Sequence, residues 1–424
     1  MATRADVAVI GAGAFGLSVA LHCALRGRSV VVVDRATAGS QASRRAAGLF
    51  KSVQADALAT SLARHSMDKV LRFEEWAGVP LDVHRSGSML IARTDKHKAI
   101  LREELERSRA WGAELAETDP EGQAAYYRAA GSEYAVWCPE DVYVEEPASL
   151  IQAYLAACLR RDVQLFEHEA AVAVLAAGGR VTGVETTAQH IDAPVVVDAA
   201  GAWVRQVAEM ARGPFPRCKV AVAPFRHQLL ITQPTAEVDV SDPIIRVIDA
   251  AVYLRPARGG LMFGGFEPDP LPLDPRMQHD SFSTDDLPLD LDLLRRLAGQ
   301  VSEEIPLAGY APVADHRGGL FTMTPDGRFV AGPVREVPGL WVASGCNGSG
   351  FSFSPAIGEA LADWIADDAA GARLGPYAPS RFGHVTDDDL VKQGAWQYTH
   401  YYQGGSGGMG PPGSGGLRGV VPPG

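Results

Sequence analysis

The strongest constraint on the fold lies in residues 7–34. Val7-Ala8-Val9-Ile10 runs into Gly11-Ala12-Gly13-Ala14-Phe15-Gly16, a helical pattern follows, and Val30-Val31-Val32-Val33 ends at Asp34. Strand, glycine turn, helix, second strand and terminal acid form the βαβ unit that binds dinucleotides. Gly11 permits the tight turn, and Gly13 leaves room for a pyrophosphate against the backbone. Gly16 lets the helix approach the sheet, and the helix N-terminus faces the phosphate charge. Asp34 is placed to accept hydrogen bonds from a ribose. The motif predicts a dinucleotide without saying which.

At 424 residues the chain exceeds one ordinary core, so two domains are expected. A net charge of −12 disfavours nucleic acid as a partner. Cys23, Cys138, Cys158, Cys218 and Cys346 are odd in number and form no CxxC, which suggests neither a disulfide framework nor a metal site. Met1 leads almost directly into a strand, and no run approaches the ~20 apolar residues of a membrane span. The expectation is a soluble, cytoplasmic protein without a membrane partner; its oligomeric state is not legible.

Further glycine turns punctuate the chain. Val195-Val196-Val197-Asp198 reads as a buried strand entering Ala199-Ala200-Gly201-Ala202-Trp203, and Leu340–Ser344 is a strand entering Gly345-Cys346-Asn347-Gly348-Ser349-Gly350. Between them, residues 220–320 read as mostly antiparallel, with a Val252–Pro256 and Leu261–Phe266 hairpin. Ala57–Trp76 and 96–118 read as helices, Leu81–His84 with Ser88–Ala92 as paired strands, and 164–187 as a small meander. The expected fold class is α/β. A discontinuous Rossmann-type nucleotide domain (1–80, 140–215 and 322–402) accompanies an antiparallel substrate domain with flanking helices (81–139 and 216–321). Residues 403–424, mainly Gly and Pro, are expected to be disordered.

In order and spacing these motifs, with Ala46-Ala47-Gly48-Leu49, Tyr253-Leu254-Arg255-Pro256 and Met323-Thr324-Pro325-Asp326-Gly327, resemble the FAD-dependent D-amino-acid oxidase-like superfamily. The likeness spans roughly residues 5–402, and the MTPDG element followed by GLWVASGCNGSGF looks closest to its sarcosine and dimethylglycine branch. The resemblance implies a glutathione-reductase-like cofactor domain and FAD in place of NAD. It puts Gly11, Gly13, Ala14, Phe15, Gly16, Asp34 and Arg35 on the ADP half, with Ala171, Gly201 and Trp203 beside them. Ser43, Arg44, Arg45, Ala47 and Gly48 would lie near the flavin. Gly345, Asn347, Gly348, Ser349, Gly350, Phe351 and Ser352 would close over the isoalloxazine, where N–H donors and a helix N-terminus favour its reduced form.

Departures from the family pattern concern the substrate. Where covalent-flavin relatives carry a cysteine or histidine, this chain has Gly319 and Arg45, implying non-covalent FAD. The arginine of glycine oxidase-like relatives is replaced by Phe321, and the lysine of sarcosine oxidase-like ones by Ser352. Arg45, Lys51 or Arg255 could still supply a carboxylate clamp, although each reads first as a phosphate contact or a solvated surface charge. Met262 and Phe266 stand where sarcosine oxidase has a lysine and a histidine. They read either as walls of a pocket for a hydrophobic amine or as ordinary core. Loss of that lysine leaves open whether O2 or another carrier reoxidises the flavin. Tyr253 reads as a substrate hydrogen-bonding group or a plain sheet tyrosine, and His227 as a satisfied histidine.

The resulting expectation is an FAD-dependent oxidoreductase acting on the C–N bond of a secondary, N-methylated or cyclic amine or amino acid. Hydride passes to flavin N5 and leaves an imine. The alternatives are an FAD-binding subunit of a larger complex, an aromatic hydroxylase and an NAD-dependent dehydrogenase. Ser344-Gly345-Cys346-Asn347, in place of the Gly-Asp that hydroxylases carry before the last helix, argues against the hydroxylase.

Overall fold

The computed structural model describes residues 3–212 and 219–403. Cys218 and the Gly/Pro-rich end from residue 404 lie outside them.

A six-stranded sheet carries the nucleotide fold, in the order Val330–Pro333, Leu340–Ser344, Val195–Asp198, Val7–Ile10, Val30–Val33, Gln164–Phe166. All pairs are parallel except the first. Its central strands read as near-continuous apolar runs because both faces are covered. Val7, Val9, Val30 and Val32 face a core with Leu17, Leu21, Leu150, Tyr154, Ile357 and Leu361 of the helices Ala14–Leu25, Pro147–Leu159 and Gly350–Ala366. Ala8, Ile10, Val31 and Val33 face the other way, onto Val174, Val181, Val184 and Ile191 of a four-stranded sheet. Period-two alternation thus divides each strand between two cores.

An eight-stranded sheet forms the second layer system, in the order Val313–Met323, Ala223–Thr232, Gly260–Gly265, Val252–Ala257, Ile244–Val247, Ser88–Ala92, Tyr134–Cys138, Ala116–Thr118. It is antiparallel except where Ile244–Val247 meets Ser88–Ala92. The long strands Ala223–Thr232 and Val313–Met323 pair over Ala223↔Met323 to Thr232↔Val313. Their Met323 end leads directly into the six-stranded sheet, so the two sheet systems meet there.

Three local expectations are corrected. The helix read over 96–118 ends at Ala110, before Gly112 at φ +89°, and Ala116–Thr118 is a strand paired with Tyr134–Cys138. Leu81–His84 is not a strand. Ser88–Ala92 pairs instead with Ile244–Val247 and Tyr134–Cys138, which leaves His84 a single bridge to Tyr143. Gln164–Phe166 joins the parallel sheet beside Val31–Val33 and not the meander, because its parallel register continues the βαβ pattern through the helix Pro147–Leu159. Among the described residues no helix is long and apolar enough to cross a membrane.

Candidate active site

A cavity of about 900 Å³ runs from the first glycine turn to the substrate sheet. At its nucleotide end the backbone is packed too closely for side chains. A Cβ on Gly16 would stand 1.8 Å from the Gly11 carbonyl oxygen. The first helix starts at Gly13 with no side-chain cap of its own, and Ser43 Oγ accepts from Ala14 N at 3.1 Å. Asp34 faces the cavity. Its two oxygens take one main-chain N–H each, from Ala12 at 2.7 Å and Ala36 at 2.8 Å. Burial pushes this carboxyl up from its ordinary value, and its remaining lone pairs stay available to a ribose. Arg35 lies over the Trp203 ring at 4.1 Å and donates to the Phe282 carbonyl. These residues fit an adenosine diphosphate: a glycine cradle, an open helix N-terminus and a ribose-accepting acid.

The middle of the cavity is shaped by loops held rigidly from behind. Gly48 has φ +73°, and a Cβ there would meet Val144 O at 2.2 Å. Arg255 is fully buried beneath this turn. It donates to Ala47 O at 2.8 Å, Pro256 O at 2.6 Å and Glu145 O at 2.8 Å, and stacks over Tyr143 at 4.6 Å. Across the cavity, Asn347 Oδ1 accepts from Thr324 N at 2.9 Å and its Nδ2 donates to Gly345 O at 2.7 Å. Asn347 thereby ties the MTPDG element to the last glycine turn. Ser352 Oγ donates to Ser349 O at 3.0 Å, so this hydroxyl shapes the first turn of the helix Gly350–Ala366.

The substrate end is walled by aromatic rings. Phe321 stacks on His227 with centroids 4.1 Å apart, and Phe266 stacks on Tyr401 at 4.1 Å; Tyr253 and Tyr402 complete the wall. His227 is bonded at both nitrogens, Nδ1 to Tyr398 OH at 2.7 Å and Nε2 to Tyr253 OH at 2.8 Å. Burial, helped by the neighbouring Arg226 guanidinium, lowers its pKa to about 3. The ring is therefore neutral at working pH, donating to one tyrosine and accepting from the other.

That depression has a measurable sign. The unfolded histidine takes up a proton as pH falls through about 6.5, whereas the native one does so only near 3. Stability is consequently lost from about pH 6.5 downward. At fixed FAD concentration, wild type should lose on the order of 2 kcal/mol more than His227→Gln between pH 7 and pH 5, read from urea midpoints. Equal losses in both proteins would contradict a neutral buried imidazole.

The structure gathers Gly11, Gly13, Ala14, Phe15, Asp34, Arg35, Ser43, Arg45, Ala47, Gly48, Ala171, Gly201 and Trp203 around this cavity. Gly348, Ser349, Gly350, Phe351, Ser352, Lys51, Tyr253 and Phe321 line it too. Gly16, Arg44, Gly345, Asn347, Arg255 and Met262 do not. Gly16, Gly345 and Asn347 support its lining, and Arg44 points to solvent. Met262 is fully buried against Leu229, Ile231 and Ala257, so it is core and not pocket. Arg255 and Arg45 are not free clamps. Arg45 is committed to Ser40 O at 2.6 Å and to Thr284 and Asp285.

Two contributors were missed. The loop 275–284 covers the nucleotide end, and Tyr401 and Tyr402 close the substrate end. The aromatic run Trp396-Gln397-Tyr398-Thr399-His400-Tyr401-Tyr402 was the available signal for the second; nothing in the loop's composition announced the first. No cluster among the described residues is arranged to hold a metal ion.

A 4-methylaminobutanoate oxidase (formaldehyde-forming) of Paenarthrobacter nicotinovorans is 28% identical over 403 residues, covering 92% of this chain and 47% of that protein. The mouse mitochondrial pyruvate dehydrogenase phosphatase regulatory subunit is 26% identical over 378 residues, covering 85% and 41%. The chain spans about half the length of these curated relatives. The crystal structure of L-proline dehydrogenase from P. horikoshii superimposes with a TM-score of 0.80 at 22% identity, covering 90% of this chain and 98% of that one; it shares the fold. A model of the FAD dependent oxidoreductase family, DAO, matches residues 6–364. Glycine cradle, ribose acid and family match agree, and the chain belongs to the FAD-dependent oxidoreductases of the DAO family.

Proposed function

We propose that the protein oxidises the C–N bond of a secondary, N-methylated or cyclic amine or amino acid. The supporting observation is the aromatic chamber of His227, Tyr253, Phe266, Phe321 and Tyr401, which opens into the dinucleotide cavity. Aromatic faces attract a methylated ammonium and accept its methyl groups while excluding water. Tyr253 lines the chamber, and its hydroxyl is held by His227. The neutral imidazole holds that phenol without adding a positive charge beside a cationic substrate. Arg45 and Arg255 spend their guanidiniums on protein carbonyls and side chains, so neither is free to clamp a substrate carboxylate. FAD supplies the hydride acceptor, and the chain contributes positioning and desolvation. The electrons then pass to O2 or to another carrier.

Anaerobic mixing of the FAD-loaded protein with 4-methylaminobutanoate, dimethylglycine, sarcosine and proline should bleach the visible flavin band with at least one of them. Readmitting oxygen then separates the acceptors: rapid return of colour indicates an oxidase and slow return a dehydrogenase. A flavin that dithionite reduces and no amine does would overturn the proposal in favour of an FAD-binding subunit, a reading that the regulatory-subunit relative keeps in view.

A further inference from the structure

We propose that Tyr401 is the proton acceptor for the substrate ammonium, its phenolate held by Lys51 and Ser349. This rests on the amine-oxidation reading above. The Lys51 ammonium donates to Tyr401 OH at 2.6 Å and lies over the same ring at 4.2 Å. Ser349 Oγ is 3.0 Å from the phenol oxygen. The ring is fixed on its other side by Phe266, stacked at 4.1 Å, and by Tyr402, edge-on at 5.1 Å. It also reaches the last glycine turn, where a Cβ on Gly348 would meet it at 3.5 Å. Lys51, Ser349 and Tyr401 all line the cavity. Tyr401 thus stands between the aromatic wall and the turn that the family resemblance places over the isoalloxazine.

An amine gives up hydride from its α-carbon only with the nitrogen lone pair free, and an amine of ordinary basicity arrives protonated at neutral pH. In the proposed step the substrate N–H bond breaks, an O–H bond forms on Tyr401, and the lone pair stays on nitrogen. Bound FAD would supply the acceptor for the hydride that this free lone pair allows to leave. Burial works against a phenolate at Tyr401. The Lys51 charge and hydrogen bond, the Ser349 hydrogen bond and the Arg246 charge outweigh it, and the phenol lies below its ordinary value. The other titratable and charged groups near it are Tyr402 and Tyr253, whose phenols burial raises, Asp141 paired with Arg246, and Glu104, Asp56 and Arg328 around the adjoining side chamber. Lys51, Tyr401 and Tyr402 also border a side chamber of about 90 Å³ with Gln54, Asp56 and Glu104. That volume accommodates water and offers the proton a polar way out.

Tyr401→Phe keeps the ring stacking and removes only the oxygen. Near-ultraviolet difference titration of the FAD-loaded protein, without substrate, should show one phenol ionising ahead of the others. That phenol should be absent from Tyr401→Phe and displaced upward in Lys51→Met. An early phenol that survives in Tyr401→Phe, or no early phenol in wild type, overturns the assignment. In anaerobic stopped flow with dimethylglycine or sarcosine, Tyr401→Phe should reduce its flavin roughly 10²-fold more slowly at pH 7. Its rate should recover as pH approaches the amine's own pKa. Unchanged rate and pH profile overturn the proposal. If no amine reduces the wild-type flavin, the function reading fails, and the titration still decides whether Tyr401 ionises early.

Discussion

Gly16→Ala should purify without flavin colour. A methyl group there falls 1.8 Å from Gly11 O and 3.0 Å from Gly11 C, and both are backbone atoms that no rotamer change can move. The helix Ala14–Leu25 would have to retreat from the sheet, carrying its N-terminus away from the pyrophosphate position. Overpacking of this kind costs up to about 3 kcal/mol of stability, and the displaced helix end should lower FAD affinity roughly 100-fold or more. Flavin-to-protein absorbance and a urea titration read the two effects. Gly299→Ala is the control. It ends the helix Leu291–Gly299 with nothing within 4 Å of a new Cβ, and should bind FAD like wild type.

Arg246→Met should lower stability by about 3–5 kcal/mol, because it strands a buried carboxylate. Asp141 is fully buried. It accepts from Ser52 N at 2.6 Å, Ser52 Oγ at 2.7 Å and Ser88 Oγ at 2.6 Å, and forms an ion pair with Arg246. Ser52 follows Lys51, so this network also anchors the segment that presents Lys51 to Tyr401. Flavin reduction by amines should therefore slow along with the fall in urea midpoint. Adding Asp141→Asn to Arg246→Met removes the stranded charge and should restore much of the lost stability. A double variant no more stable than Arg246→Met would show that the carboxylate is not the cause.

The cofactor end of the site was largely legible in the chain because its chemistry is local. Gly11, Gly13 and Gly16 lie within one turn, and Asp34 ends the strand that the intervening helix returns to the sheet. Backbone contacts over so short a span follow from spacing. The substrate end was only partly legible. Tyr253, Lys51 and Phe321 were named and line the chamber. Arg255 and Met262 share a hairpin with Tyr253, yet they lie under the Ala47–Gly48 turn. The pair Arg255↔Met262 is two positions along the ladder from Tyr253↔Gly264, about 7 Å of strand, which is enough to pass from pocket to core.

By itself, then, the sequence determined the βαβ start, the glycine turns that return to it and the family with its FAD. Each depends on steric and hydrogen-bonding demands that neighbouring residues satisfy among themselves. Only the tertiary structure decided which charges line the cavity and what each is paired with. Arg45 is bound to Asp285 across 240 residues, and Lys51 to Tyr401 across 350. No local pattern encodes such pairs, because a long side chain's partner is set by which distant segment packs against it.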